Sequence, residues 1–221
     1  MRTFMILPFL SGLLFAGAEE DKRLENAAIM FEEVMGTKDK EIPQDLLDKA
    51  SCAVFVPGLK KGAFVFGAKY GRGFVSCRKK EGPGWSAPGA IRVEGGSFGL
   101  QIGGSETDVI MLVMNDKGAD RLMSSKFTLG GDASAAAGPV GRTASAETDA
   151  TMRAEILTWS RARGVFAGIS LQGATLRPDK EAIKGLYGKE MENKDIVYGA
   201  TQAPAAAAKL LGLLNKFSGR K

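Results

Sequence analysis

The stretch Phe64–Ser76, FVFGAKYGRGFVS, places three glycines, a lysine and an arginine between two apolar runs. Glycine-freed backbone N–H groups beside basic side chains are the materials of a phosphate cradle. The spacing does not serve that chemistry. A phosphate loop needs G-x-x-x-x-G-K-[ST] opening onto a helix, whereas Gly67, Gly71 and Gly73 are spaced otherwise and a strand-like run follows them. A dinucleotide fingerprint fails for the same reasons. The stretch reads instead as a glycine turn between two antiparallel strands, with Gly67 as a candidate bulge. Gly95-Gly96-Ser97-Phe98-Gly99 formally matches the nucleophile elbow G-x-S-x-G, but that elbow needs a strand-to-helix turn and a histidine base. The chain contains no histidine. Ser-His-Asp and Cys-His catalysis and every His-ligated metal site are thereby removed. The carboxylate pairs Glu106/Asp108 and Glu147/Asp149 each share a strand face, yet nothing in the sequence converges on either. The expectation is a non-catalytic protein with neither cofactor nor metal.

Positive charge is the more concentrated chemistry. Lys60, Lys61, Lys69, Arg72, Arg78, Lys79 and Lys80 fall in one stretch, and no acidic residue occurs from Leu59 through Lys80. If these strands form a meander, Lys60, Lys61, Lys69, Arg72 and Arg78 gather on one edge as an anionic-lipid site. Each basic residue near a charged membrane contributes roughly 1 kcal/mol. The alternative is solvated charge that protects edge strands from pairing. The net charge of +5 and pI near 9.2 permit an anionic surface as partner without demanding nucleic acid, and no nucleic-acid partner is expected. The segment 19–36 carries six acids and two bases, the wrong balance for an interfacial helix. The C-terminal segment, with Lys209, Lys216, Arg220 and Lys221 beside its leucines, is the better interfacial candidate, but the leading expectation is that it docks on its own domain.

These residues need elements to position them. Residues 1–18 read as a secretory signal: Arg2, an apolar run from Phe4 to Phe15, then Ala16-Gly17-Ala18 before Glu19. The run is too short, and too broken by Pro8 and Gly12, to span a bilayer. The expected location is secreted or periplasmic after cleavage near Ala18. In an oxidising compartment Cys52 and Cys77 are candidates for a disulfide; two buried thiols are the alternative. Leu24, Ala27, Ala28, Phe31 and Met35 recur at helical spacing and predict a helix over Asp21–Met35. A short helix is expected over Pro43–Lys49, another over Lys117–Ser124, and others over Asp179–Tyr187 and Pro204–Phe217. CAVFVP closes at Pro57-Gly58; AFVFGAKY, GFVSCR, IRVEGG and SFGLQIGG read as strands. TDVIMLVM suits a strand buried on both faces. FTLGGDASAAAG, RTASAETDATM, AEILTWSRA and GVFAGISLQGATL complete the pattern. The fold class is α+β, a β-rich antiparallel sheet or barrel-like core with N-terminal, middle and C-terminal helices. Residues 19–190 form the main domain, and 191–221 a linker and amphipathic helix.

The order of these features resembles the SYLF domain family, a lipid-binding module also described as a yeast-type actin-binding domain. The resemblance runs from about Leu24 to Gly188 and is carried by IPQDLLDKASCAVFVPGLKKGAFVFGAKYGRGFVSCR, GWSAPGAIRVEGGSFGLQIGG, DVIMLVMN, LGGDASAAAGPVGRTASAETDA and WSRARGVFAGISLQGATLRPD. It implies binding of phosphoinositides or other anionic lipids, actin association in eukaryotic members, and no established catalysis. For an exported chain it points to an anionic phospholipid membrane surface, with an actin-type or envelope protein as the alternative partner.

Overall fold

The computed structural model describes residues 12–37, 41–63, 66–98, 103–141, 153–162 and 165–218. Helix α1, Gly12–Gly36, leads into α2, Gln44–Lys49. Four long strands follow: β1 Cys52–Ala63, β2 Phe66–Cys77, β3 Gly89–Phe98 and β4 Gly103–Val113. Next come α3 Asp116–Leu122 and the short strands β5 Phe127–Thr128 and β6 Ala135–Ala137. Strands β7 Ile156–Ala162, β8 Val165–Gly168 and β9 Thr175–Pro178 precede α4 Lys180–Tyr187 and α5 Asn193–Tyr198. A 3-10 turn, Ala205–Ala207, then opens α6, Ala208–Ser218. The nine strands form one curled sheet in the order β5-β9-β3-β2-β1-β4-β7-β6, and β8 pairs with β7 beyond the end of β6. The α+β expectation holds. RTASAETDATM lies outside the described residues.

Strand alternation feeds two cores. Ile110 and Leu112 of β4 face the helices with Phe55, Phe74 and Trp159. Val109, Met111 and Val113 face the other way with Val54, Val75 and Val93. TDVIMLVM is thus buried on both faces, as its apolar run predicts. Phe31 of α1 meets Phe55 edge-on at 5.3 Å and Phe217 of α6 at 5.9 Å. The Phe31 and Phe55 rings are fully buried, and each contributes about 1.5–3 kcal/mol. Leu210 and Leu214 share this core with Leu24, so α6 packs into the same core as α1. Helix α5 has no counterpart in the sequence reading.

The glycines of FVFGAKYGRGFVS do other work than turning the chain. Strand β2 runs unbroken through Gly67, Gly71 and Gly73, and the chain reverses between Ala63 and Phe66. The Pro57-Gly58 pair does not close β1 but bulges it: residues 56–59 oppose 71–73 of β2, and Pro57 and Gly58 oppose Asp108 of β4. Gly58 adopts φ of +62°. A Cβ on Gly73 would lie 2.1 Å from the Phe55 carbonyl oxygen, and one on Gly71 would lie 2.8 Å from Leu59 and Val56. The bulge presses β1 onto β2, and only glycine fits beneath it. At the other end of the same hairpin Cys52 and Cys77 are register partners joined by a disulfide.

Gly73→Ala is expected to destabilise the fold by more than about 1–3 kcal/mol, read as a lowered urea midpoint. Gly62→Ala, whose Cβ would meet nothing within 4 Å, is the matched control and is expected to lose far less. Equal midpoints for the two variants would contradict the close-approach role.

Candidate functional site

The five basic residues predicted as one patch are not brought together. Lys60, Lys61, Lys69 and Arg72 lie on β1 and β2, which are interior to the sheet, and Arg78 directly follows β2, so the edge-protection reading is corrected as well. The cause is topological: the β1–β2 hairpin is clasped between β3 and β4. Alternation sends Lys60, Arg72 and Arg78 toward the helix face and Lys61 and Lys69 to the opposite face.

Arg72 is a fastener. Its Nε and terminal nitrogen donate to the two oxygens of Asp179 at 2.5 and 3.1 Å. Glu20 of α1 lies 3.4 Å away and Glu181 of α4 3.6 Å. Asp179 and Glu20 are each only 3% exposed. The Asp179 hydrogen bond, with the nearby charges of Asp179 and Glu20, pushes the guanidinium pKa further up despite burial. Asp179 also accepts from Ala182 N at 3.2 Å and so caps α4. One cation therefore joins α1, β2 and α4. Arg78 is fastened too. Its guanidinium donates to the carbonyls of Leu47, Asp48, Ala50 and Ser218 and lies 4.3 Å over the Trp85 ring. It sits at the C-terminus of α6, where a cation meets the negative end of the helix.

The lysines differ. Lys60 is exposed. Lys61 and Lys69 stand directly opposite each other on one face. Burial, and then the charge of Lys69, push the Lys61 ammonium below its ordinary pKa. Like charges in register oppose sheet formation.

A second polar cluster lies under α1. Glu106 and Asp108 do share a face, and several groups converge on them. Gly58 N–H donates to Asp108 Oδ1 at 2.9 Å, Arg161 binds Asp108 Oδ2 at 2.6 Å, and Arg161 also pairs with Glu33 of α1. Burial pushes the Asp108 carboxyl up, the Gly58 N–H pulls it back, and Glu106 adds to the push. The cleft there holds about 300 Å³ and is lined in part by Lys22, Arg23 and Asn26. The sequence held no signal for this convergence, because the bulge and the β4–β7 register create it. Glu147 and Asp149 lie outside the described residues. Among the described residues no three acidic or cysteine side chains gather at metal-binding spacing, and no helix is long and apolar enough to cross a membrane.

Residues 94–217 match the family model described as Ysc84, Las17-binding protein actin regulator. The chain belongs to the Ysc84 family. This is the family that the sequence resembles, and the match runs through α4, α5 and α6. Protein YSC84 of Saccharomyces cerevisiae is 35% identical over 180 residues, 80% of this chain and 38% of that protein. The SH3 domain-containing YSC84-like protein 1 of Homo sapiens is 33% identical over 181 residues, 81% of this chain and 52% of that protein. An SH3 domain-containing protein of Schizosaccharomyces pombe is 36% identical over 178 residues, 79% of this chain and 41% of that protein. The chain thus spans about half, or less, of these Ysc84 relatives.

The Lys61–Lys69 pair generates a pH prediction. Because the folded-state pKa of Lys61 lies below its unfolded value, the folded protein carries a penalty at neutral pH that fades as pH rises through the folded value. Lys69→Gln is expected to raise stability at neutral pH by about 0.2–1 kcal/mol. The gain should shrink toward about pH 10, within reach of the ordinary lysine pKa. Urea unfolding of both proteins at the two pH values checks the sign; a loss of stability at neutral pH would contradict repulsion.

Proposed function

We propose that this chain is a non-catalytic protein-interaction module of the Ysc84 type. The observation that carries the reading is family membership over most of the chain, with a family model described as Las17-binding protein actin regulator and a relative named LAS seventeen-binding protein 3. The structure supports it indirectly, because the arginines expected to meet a membrane are spent on fastening helices. The test is co-sedimentation of the full chain with actin filaments in the absence of lipid. The expected result is saturable pelleting with filaments. Failure to pellet, together with salt-sensitive flotation on anionic vesicles, would favour the second reading.

That second reading is contact with anionic phospholipid or phosphoinositide-like headgroups through Lys61 and Lys69, which share a face. It is favoured by the unfavourable Lys61–Lys69 juxtaposition, which an anion would relieve. Charge reversal of Lys61 and Lys69 should then abolish flotation on phosphatidylglycerol vesicles, and unchanged flotation by the folded variant would remove the pair from it.

We further propose that the chain is exported. The support is the signal-like segment 1–18 together with the Cys52–Cys77 bond, since disulfides persist in oxidising compartments. An exported module meets envelope proteins, with actin filaments serving as the probe of a retained family surface. Intact mass of protein recovered outside the cytoplasm is expected to start at Glu19; a full-length mass in the cytoplasmic fraction would contradict export.

A further inference from the structure

Three arginines stand in one cross-strand row. Register pairs Arg72 of β2 with Arg92 of β3, and Arg92 with Arg177 of β9. Their side chains leave the same face, with neighbouring strands about 4.8 Å apart. Such a row opposes sheet formation unless each charge is answered. For Arg72 the answer is built in, as Asp179, Glu20 and Glu181. For Arg92 and Arg177 it is incomplete. Both converge on the single carboxylate of Glu94, with Arg92 Nε 2.8 Å from Oε1 and Arg177 Nε 3.3 Å from Oε2. The Arg92 N–H is not directed at that oxygen, and its buried Nε has no hydrogen-bond acceptor. Two guanidiniums against one carboxylate leave one positive charge over. They open into a groove of about 590 Å³ whose walls include Tyr70, Ser125, Asp179 and Lys180, the last paired with Glu192 at 3.2 Å. Tyr70 is 50% exposed.

We propose that this groove binds a single phosphate monoester, independently of both readings above. Two guanidinium forks on adjacent strands offer donors from two directions. A tetrahedral oxyanion has oxygens for both, whereas the two oxygens of a carboxylate lie in one plane with their substituent. The exposed Tyr70 ring supplies an apolar wall for the organic part of the ligand. Glu181 and Glu192 at the rim repel additional phosphates, so the site selects one phosphate rather than a polyphosphate. The monoester is carried either by a soluble metabolite or by a lipid headgroup.

The test is calorimetric titration of the full chain at low ionic strength with inorganic phosphate, glycerol 3-phosphate and pyrophosphate. Flotation on phosphatidylcholine vesicles with and without phosphatidic acid runs in parallel. Saturable binding is expected in at least one arm, weakened at least tenfold in the Arg92→Gln/Arg177→Gln variant and unchanged in Lys117→Gln. Glycerol 3-phosphate binding without flotation assigns a soluble ligand; flotation alone assigns a headgroup. Glu94→Gln, which removes the internal competitor, is expected to tighten binding several-fold and keeps the test decisive if the double variant does not fold. No binding in either arm, equal binding by the double variant, no gain in Glu94→Gln, or a preference for pyrophosphate would each overturn the proposal.

Discussion

A single sheet has two apolar faces, and helices α1, α2, α4 and α6 cover one of them. The fold depends on how the second face is closed. Here the sheet curls, and Val54, Val75, Val93 and Met111 are enclosed with Leu122 of α3 and with Phe127, Leu129 and Leu171 from the segments that return beneath. Curling needs a local break in strand geometry, which the Pro57-Gly58 bulge supplies. The bulge in turn needs a neighbour without side chains, which Gly71 and Gly73 supply. The Cys52–Cys77 bond ties the opposite end of the same hairpin. Bulge, glycines and disulfide are thus parts of one solution to the closure of the second face.

The helix layer is held by a different kind of interaction. Apolar contact alone sets how much α1 buries, but directional charge sets where it sits. Arg72 reaches Glu20 of α1 and the Asp179 cap of α4, while Arg161 reaches Glu33 farther along α1. Buried ion pairs return little net stability, because both partners lose water, yet losing one partner strands the other at high cost. Such pairs penalise a misplaced helix more than they reward a correct one. The acidic character of the segment 19–36 therefore has a use within the fold: its carboxylates answer arginines of the sheet.

The periodic signals were legible in the sequence. Helix α1 follows from Leu24, Ala27, Phe31 and Met35, and the two-faced burial of β4 follows from its unbroken apolar run, because both depend only on local spacing. The final helix was legible for the same reason. What failed were inferences that depend on register. Gly71-Arg72-Gly73 has the composition of a turn, and composition cannot distinguish a turn from a strand lying under a bulge. The basic residues between Leu59 and Lys80 form a block in sequence, but alternation and the clasp of β3 and β4 deal them to two faces. Arg92 and Arg177 left no signal because each is the only basic residue of its strand; only the β3–β9 pairing sets them side by side.

Sequence clustering of charge and unanswered charge are therefore different quantities in this fold. Arg72 and Arg78 lie in the most basic stretch of the chain, and each is saturated by carboxylates or backbone carbonyls. Saturated cations have little left to offer a ligand, since binding would first require breaking contacts made in a partly desolvated setting. Lys61 against Lys69, and Arg92 against Arg177, are the opposite case: like charges held in register by backbone pairing that the rest of the sheet enforces. The flanking backbone pairing outweighs the roughly 0.2–1 kcal/mol of a single like-charge pair, so the sheet can sustain the repulsion without yielding. A rigid frame that holds cations close together without enough internal counter-charge is what makes an anion site selective. It follows that the recognition surfaces of this chain are to be sought where register, and not sequence, brings its positive charges together.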